Sequence, residues 1–227
     1  MPPCPARGRT ASYACQSRSK IKRLAHYFVT DIESDGPSPL DNSMLSFATV
    51  VVREDGEICG TFEAVLEPRP DKQPNHQTMT FWRSQPEAWK AATADPQPPR
   101  EVMTAFADWV ESFDGPRSFA ARPLAFDGSW IDAYLREYTD TYLLDVPYWG
   151  RCIFTSGALD IGSYISGVFN RTDPHGDIDI PKAWLGEHEH THRAIDDARG
   201  YAALLSRLLR VASRQPSHPD DFLPDRR

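Results

Sequence analysis

Asp31 and Glu33 stand two residues apart at the end of an apolar stretch, His26 to Ile32, that reads as a β-strand. That spacing turns both carboxylates to one face of a sheet. Two carboxylates ~5 Å apart at an effective dielectric of ~20 repel by roughly 3 kcal/mol, so the pair needs a cation, a proton or a wide solvated face. Alone it is a weak signal, because an acidic chain of this length holds such a spacing by chance. Two further acids extend it. Asp127 lies in Ala125-Phe126-Asp127-Gly128, between a predicted strand and a predicted helix, and Asp197 lies in the first turn of the last predicted helix. Taken singly, Asp127 fits an N-cap and Asp197 complements the helix dipole. Taken together, the chain offers carboxylates at a strand end, before one helix and at the opening of another, with the imidazole of His192 beside the last.

This ordered set resembles the DEDDh family of 3′-to-5′ exonucleases, which includes RNase T-like enzymes and polymerase proofreading subunits. Asp31-Ile32-Glu33-Ser34-Asp35-Gly36, Phe126-Asp127 and His192-Arg193-Ala194-Ile195-Asp196-Asp197-Ala198 carry the likeness, which spans about Tyr27 to Leu209. Where many members have Asn or His shortly before the third acid, this chain has Arg122-Pro123-Leu124-Ala125. The resemblance implies an RNase H-like fold and a metal-dependent 3′-to-5′ exonuclease that releases nucleoside 5′-monophosphates. It implies Asp31, Glu33, Asp127 and Asp197 as ligands of two Mg²⁺ or Mn²⁺ ions, with His192 as the general base. Hard cations favour oxygen ligands, and paired ions clamp the attacking and leaving oxygens of a phosphodiester displacement. Imidazole titrates near neutral pH, which suits a base. The implied substrate is a single-stranded 3′ end, RNA slightly ahead of DNA, its terminal nucleotide against the backbone from Ser34 to Gly36. Trp82 is a candidate for stacking on a substrate base, and core packing is its other role. The resemblance also allows a homodimer. A catalytically silent RNase H-like binding module is the alternative from another class; it predicts loss of at least one of the five residues, and all five are present.

His188-Glu189-His190-Thr191-His192 also matches H-E-x-x-H, in which a helix presents two histidines to Zn²⁺ and the Glu activates water. Its context fails. No Glu follows Glu189, and the extended form of the motif would want Gly at Ile195 and His at Ala198. Gly186 sits where such a helix should already be established, and a more favourable start lies after His192. A zinc peptidase therefore ranks well below a plain His-rich loop.

The elements that must position these side chains follow from periodicity. Met44 to Val52 and Ile58 to Leu66 join the first strand in an antiparallel meander, with Glu54-Asp55-Gly56-Glu57 as a hairpin turn. A short helix is expected around Ser84 to Thr93. After Pro98-Pro99, Val102, Met103, Phe106, Trp109, Val110 and Phe113 recur at helical spacing. Arg117 to Ala125 reads as a fourth strand, followed by a helix with Trp130, Ile131, Tyr134, Leu135 and Tyr138 on one face. Gly150 to Thr155 reads as a short fifth strand, and Ser156 as the cap of a helix running to about Gly167. The last helix carries Ile195, Ala198, Ala202, Leu205 and Leu209 on one side. The expected fold class is α/β: an RNase H-like mixed five-stranded sheet, an antiparallel three-stranded meander and then parallel strands, with helices on both faces.

The chain has 227 residues, 40% of them hydrophobic, and a net charge of −7. That suffices for one α/β domain, and no apolar run approaches the ~20 residues of a membrane-spanning helix. Residues 1–25 hold six Lys or Arg and no acid, leaving 19 basic against 32 acidic residues, a charge of −13, in the remainder. The expected division is a basic disordered arm over residues 1–25, an exonuclease domain over 26–213 and a mobile, Pro-rich tail over 214–227. So acidic a body argues against phosphate binding by charge alone; a phosphate contact there needs a metal. Cys4, Cys15, Cys59 and Cys152 lie far apart with no C-x-x-C, which fits a reducing, cytoplasmic compartment, and Cys59 and Cys152 read as buried thiols. Arg207, Arg210 and Arg214 line one side of the last helix and read as a solvated face.

Overall fold

Alternation of side chains along the first strand decides the architecture, because it sends Phe28 to one face of the sheet and Val29 to the other, and both are fully buried. The computed structural model describes residues 23–144, 150–171, 180–188 and 190–213. The basic arm up to residue 22 with Cys4 and Cys15, the tail from residue 214 with Arg214, and Glu189 lie outside the described residues.

Strand β1 (His26–Ser34) pairs antiparallel with β2 (Met44–Arg53), and β2 pairs antiparallel with β3 (Ile58–Val65). Helices α1 (His76–Ser84), α2 (Pro86–Ala92) and α3 (Pro99–Glu111) follow, and the chain returns through β4 (Arg117–Ala121), parallel to β1. After α4 (Leu124–Tyr138), β5 (Thr141–Leu144) and β6 (Arg151–Phe154) form a separate parallel pair. β7 (Ala158–Asp160) lies parallel to β4 and completes a five-stranded sheet in the order β3-β2-β1-β4-β7. Two α-helices close the described chain, α5 (Ile161–Val168) and α6 (Ala194–Ala212), with a short 3₁₀ helix at Lys182–Leu185 between them. This is the expected mixed sheet with an antiparallel meander, parallel strands and helices on both faces.

Each face has its own core. Phe28, Phe47 and Val51 pack against Met103, Phe106 and Val110 of α3 and Trp130, Ile131 and Tyr134 of α4. Val29, Val50 and Val52 pack on the opposite face against Ile161 and Ile165 of α5 and Ile195, Ala198 and Leu205 of α6. Burying each such side chain contributes roughly 1.5–3 kcal/mol, so β1 is clamped from both sides and its carboxyl end is held rigidly. Among the described residues no helix is long and apolar enough to cross a membrane.

Several expected elements shift. The fourth strand ends at Ala121 rather than Ala125, because Pro123, with its fixed φ and no donor, starts α4 at Leu124. Asp127 consequently stands inside the first turn of α4, not before it. The strand expected over Gly150 to Thr155 exists over Arg151–Phe154, but it pairs with β5; the fifth place in the main sheet belongs to the three-residue β7. The helix expected to be capped by Ser156 is capped instead by Asp160, whose Oδ1 accepts from Ser163 N–H at 2.6 Å and whose Oδ2 accepts from Leu124 N–H at 2.9 Å. One carboxylate thus ties the starts of α5 and α4 together. In place of one short helix around Ser84 to Thr93 there are two, the first capped by the Asn75 side chain. Cys59 is exposed on the edge strand β3 rather than buried, and Cys152 is partly exposed; both are free thiols. Arg210 is tied to the β2–β3 turn, donating from Nη2 to the Gly56 carbonyl at 3.2 Å.

Candidate active site

Three of the four carboxylates converge directly: Asp31, Glu33 and Asp197 each offer an oxygen within 4.8 Å of the others. The i, i+2 pair at the end of β1 meets the first turn of α6 because α6 packs across β1 and β2. Asp127 reaches the same edge from the first turn of α4. Its Oδ1 accepts from the backbone N–H of Ile32 at 3.3 Å, between the two acids of β1. Its Oδ2 is buried with no hydrogen-bond partner among the described residues. Asp127 is 3% exposed and Asp197 5%.

Gathering these groups away from water opposes their ionisation. Burial, and then the charges of Asp127, Glu33 and Asp197, raise Asp31 well above the usual carboxylate range. Burial and the fields of Asp197 and Asp127 push Glu33 up to about 9, and burial lifts Asp127 to about 7. Asp197 is raised by burial against the opposing pull of His190. Tyr201, one turn beyond Asp197, has its hydroxyl pushed up to about 12 by burial and by the charge of Asp31. Nothing in the spacing of the sequence had marked it.

His192 sits just before α6 in the left-handed region, φ +55°. Its ring packs edge-on against Phe81 at 4.9 Å and against His190 at 4.5 Å between centroids. Burial and the neighbouring His190 hold it below the usual imidazole range, which favours the neutral form able to accept a proton. His190 also joins the site: its Nδ1 lies 2.8 Å from Asp197 Oδ1, the oxygen that accepts from Thr191 N–H at 3.3 Å. In the sequence His190 is only a middle position of H-E-x-x-H, so its place here was not legible. Residues 188 and 190–193 are not helical, so no helix presents His188 and His192 on one face, and the zinc-peptidase geometry is not formed.

Trp82 is 2% exposed, and its indole N–H donates to the Ser34 carbonyl at 2.9 Å. It has no free face for a base and packs instead with Leu45, Ala88 and Ala92. The exposed ring beside the site is Phe81, at 39%. Ser34 Oγ donates to the Gly36 carbonyl at 2.7 Å, closing the turn after β1. A Cβ on Gly36 would lie 2.1 Å from Asn42 Cγ, whose side chain accepts from Ser38 N–H and donates to the Gln73 carbonyl. Gly36→Ala is expected to destabilise the protein by about 1–3 kcal/mol through displacement of Asn42; urea unfolding reads this, and an unchanged midpoint would contradict the packing described.

The donor set fits divalent cations. Three hard carboxylates converge with Asp127 bonded to the strand between two of them, their ionisation is opposed in the absence of positive charge, and one oxygen of Asp127 is buried without a partner among the described residues. A consequence can be measured without substrate. Carboxylates whose pKa rises on folding take up protons as the chain folds, so metal-free stability is greatest near the ordinary carboxylate range and is lost as pH rises toward about 9. The metal-free melting temperature should therefore fall between about pH 5.5 and pH 8.5, and saturating Mg²⁺ or Mn²⁺ should remove most of that fall. A metal-free melting temperature that stays flat or rises across this window would contradict the clustering.

Comparison with known proteins bears on this edge of the sheet. Residues 26–209 match the family model described as the Rv2179c-like 3′-5′ exoribonuclease domain. The chain is 24% identical over 197 residues to the PolC-type DNA polymerase III of Latilactobacillus sakei subsp. sakei, covering 86% of this chain but 12% of the polymerase. Its fold is similar to that of E. coli exonuclease I in complex with a dT13 oligonucleotide, with a TM-score of 0.59 at 18% identity, over 85% of this chain and 42% of the other. It is also similar to a 3′-exonuclease that recognises the histone mRNA stem-loop, with a TM-score of 0.57 at 13% identity over 83% of both chains. The chain thus spans a small part of the polymerase and under half of exonuclease I.

Proposed function

The chain belongs to the Rv2179c-like 3′-5′ exoribonuclease domain family, and on that premise we propose that it removes nucleotides one at a time from single-stranded 3′ ends, RNA slightly ahead of DNA. The observation that carries this reading is the convergence of Asp31, Glu33 and Asp197, with Asp127 hydrogen-bonded to β1 between the first two. Those four side chains would hold two Mg²⁺ or Mn²⁺ ions, which supply charge neutralisation at the scissile phosphate and lower the pKa of the attacking water. His192 takes the proton of that water at an imidazole nitrogen, and its neutral form suits the task. Phe81 and His190 fix the ring on two sides, so the base is oriented before substrate arrives. The terminal nucleotide lies against the turn from Ser34 to Gly36, beside the exposed ring of Phe81. The family description favours RNA, and the free thiols of Cys59 and Cys152 suit a cytoplasmic setting.

Product analysis tests this. RNA and DNA oligomers of one sequence, incubated with the protein and Mn²⁺, should both yield nucleoside 5′-monophosphates, with the larger kcat/KM for RNA. Oligonucleotide products or 3′-monophosphates would overturn the proposal.

A further inference from the structure

Hydrolysis needs one histidine at this site, and the fold supplies two. His190 Nδ1 lies 2.8 Å from Asp197 Oδ1, and the His190 and His192 rings are 4.5 Å apart at 67°. His190, His192 and Asp197 each offer one donor atom within 4.8 Å of the other two. The loop between them is pinned to α6: Thr191 N–H donates to Asp197, and Thr191 Oγ1 donates to Asp196 Oδ2 at 2.9 Å. The His190 side chain is 58% exposed, so an ion reaches the trio from solvent.

Two imidazole nitrogens and one carboxylate oxygen are a donor set that Mg²⁺ has little use for and that Zn²⁺ prefers. Bonds of ~2.0–2.2 Å place tetrahedral donors roughly 3.3 Å apart. That separation lies below the 4.8 Å within which the three donors already stand, and the 2.8 Å pair would open by about half an ångström. We propose that His190, His192 and Asp197 form a binding site for Zn²⁺ that overlaps the hydrolytic centre, and that zinc seated there inhibits the enzyme. The inhibitory consequence rests on the exonuclease reading. The His192 lone pair that accepts the proton is engaged by the ion, and an Asp197 oxygen is withdrawn from the carboxylate set. Of the three attachment points only His192 is a ligand position of the H-E-x-x-H spelling; His190 is a middle position of it, and Asp197 comes from the first turn of α6.

Zinc binding is measured first without any nuclease assay, by equilibrium dialysis of metal-free wild type, His190→Ala and His190→Asn. The Asn variant keeps a hydrogen-bond donor toward Asp197 while removing the imidazole. Both variants should lose at least ~10-fold in Zn²⁺ affinity, since even the partners of metal ligands cost that much when removed. Their Mn²⁺ affinity should change far less. Co²⁺ in place of Zn²⁺ should give visible bands in the wild type that both variants shift and weaken. The zinc concentration that halves the Mg²⁺-supported rate, each protein normalised to its own zinc-free rate, should rise by a similar factor. Equal zinc affinity in all three proteins would put zinc on the carboxylates alone and overturn the site. Zinc binding through His190 in a protein without nuclease activity would instead overturn the exonuclease reading and the inhibition with it.

Discussion

Asp31→Asn is expected to lower the exonuclease rate by roughly 10³-fold or more while raising the melting temperature of the metal-free protein. The amide keeps the shape of the side chain but brings no charge to the cations, and losing charge stabilisation of several kcal/mol in the transition state translates into a loss of that order. Stability moves the other way. Asp31 stands where burial and the charges of Asp127, Glu33 and Asp197 all oppose its ionisation, so a neutral residue relieves repulsion that only a cation otherwise offsets. At pH 8 without divalent ions the variant should melt about 2–4 °C above the wild type, the shift that roughly 1 kcal/mol produces in a domain of this size. Added Mn²⁺ should raise the wild type more than the variant. Retained activity, or a metal-free variant that melts below the wild type, would contradict the site.

His192→Ala should lose roughly 10²- to 10⁴-fold in rate, the range of a positioned general base. The loss should separate from metal binding, because the carboxylates proposed to hold Mn²⁺ lie on β1, α4 and the first turn of α6, whereas His192 sits on the loop before it. Titration of Mn²⁺ into the variant should give nearly the wild-type affinity, and raising the pH should recover part of the rate as hydroxide replaces the missing base. A variant that loses Mn²⁺ binding along with activity would make His192 a ligand of the hydrolytic ions instead. A variant with undiminished rate would remove it from the chemistry altogether.

The four carboxylates and His192 were legible because each stands at a local boundary that sequence marks: a strand end, a helix start after Pro123, and a helix start after His192. Apolar runs bounded by turn signals located β1, β2 and β3, the first two being buried on both faces, and period-3.6 patterns located α3, α4 and α6, which each bury one face. What failed was short or tertiary. β7 is three residues long and takes its place through pairing with β4, which no local pattern encodes. β6 has the composition of a core strand yet joins β5, since strand pairing depends on what α4 delivers beside it. Only the family resemblance sets Trp82 near the site, and burial and its bond to the Ser34 carbonyl make it a support for the turn rather than a stacking surface. Exposure of the adjacent Phe81 follows from the helix face α1 presents, which the polar residues around it, His76-Gln77-Thr78, leave undecided. His190 and Tyr201 reach the acids only because the loop before α6 folds back on its first turn, with His192 at a positive φ that its residue type does not announce.

A 5′-labelled single-stranded oligomer incubated with the protein and Mn²⁺ tests the central claim most directly, because it reads polarity and metal dependence in one gel. The family to which the chain belongs is one of 3′-5′ exoribonuclease domains. The label should remain on a ladder of progressively shorter strands, one nucleotide apart, that disappears when the ions are chelated and is blocked by a 3′-phosphate. Cleavage of a circular single strand, or a ladder that persists without divalent ions, would contradict it.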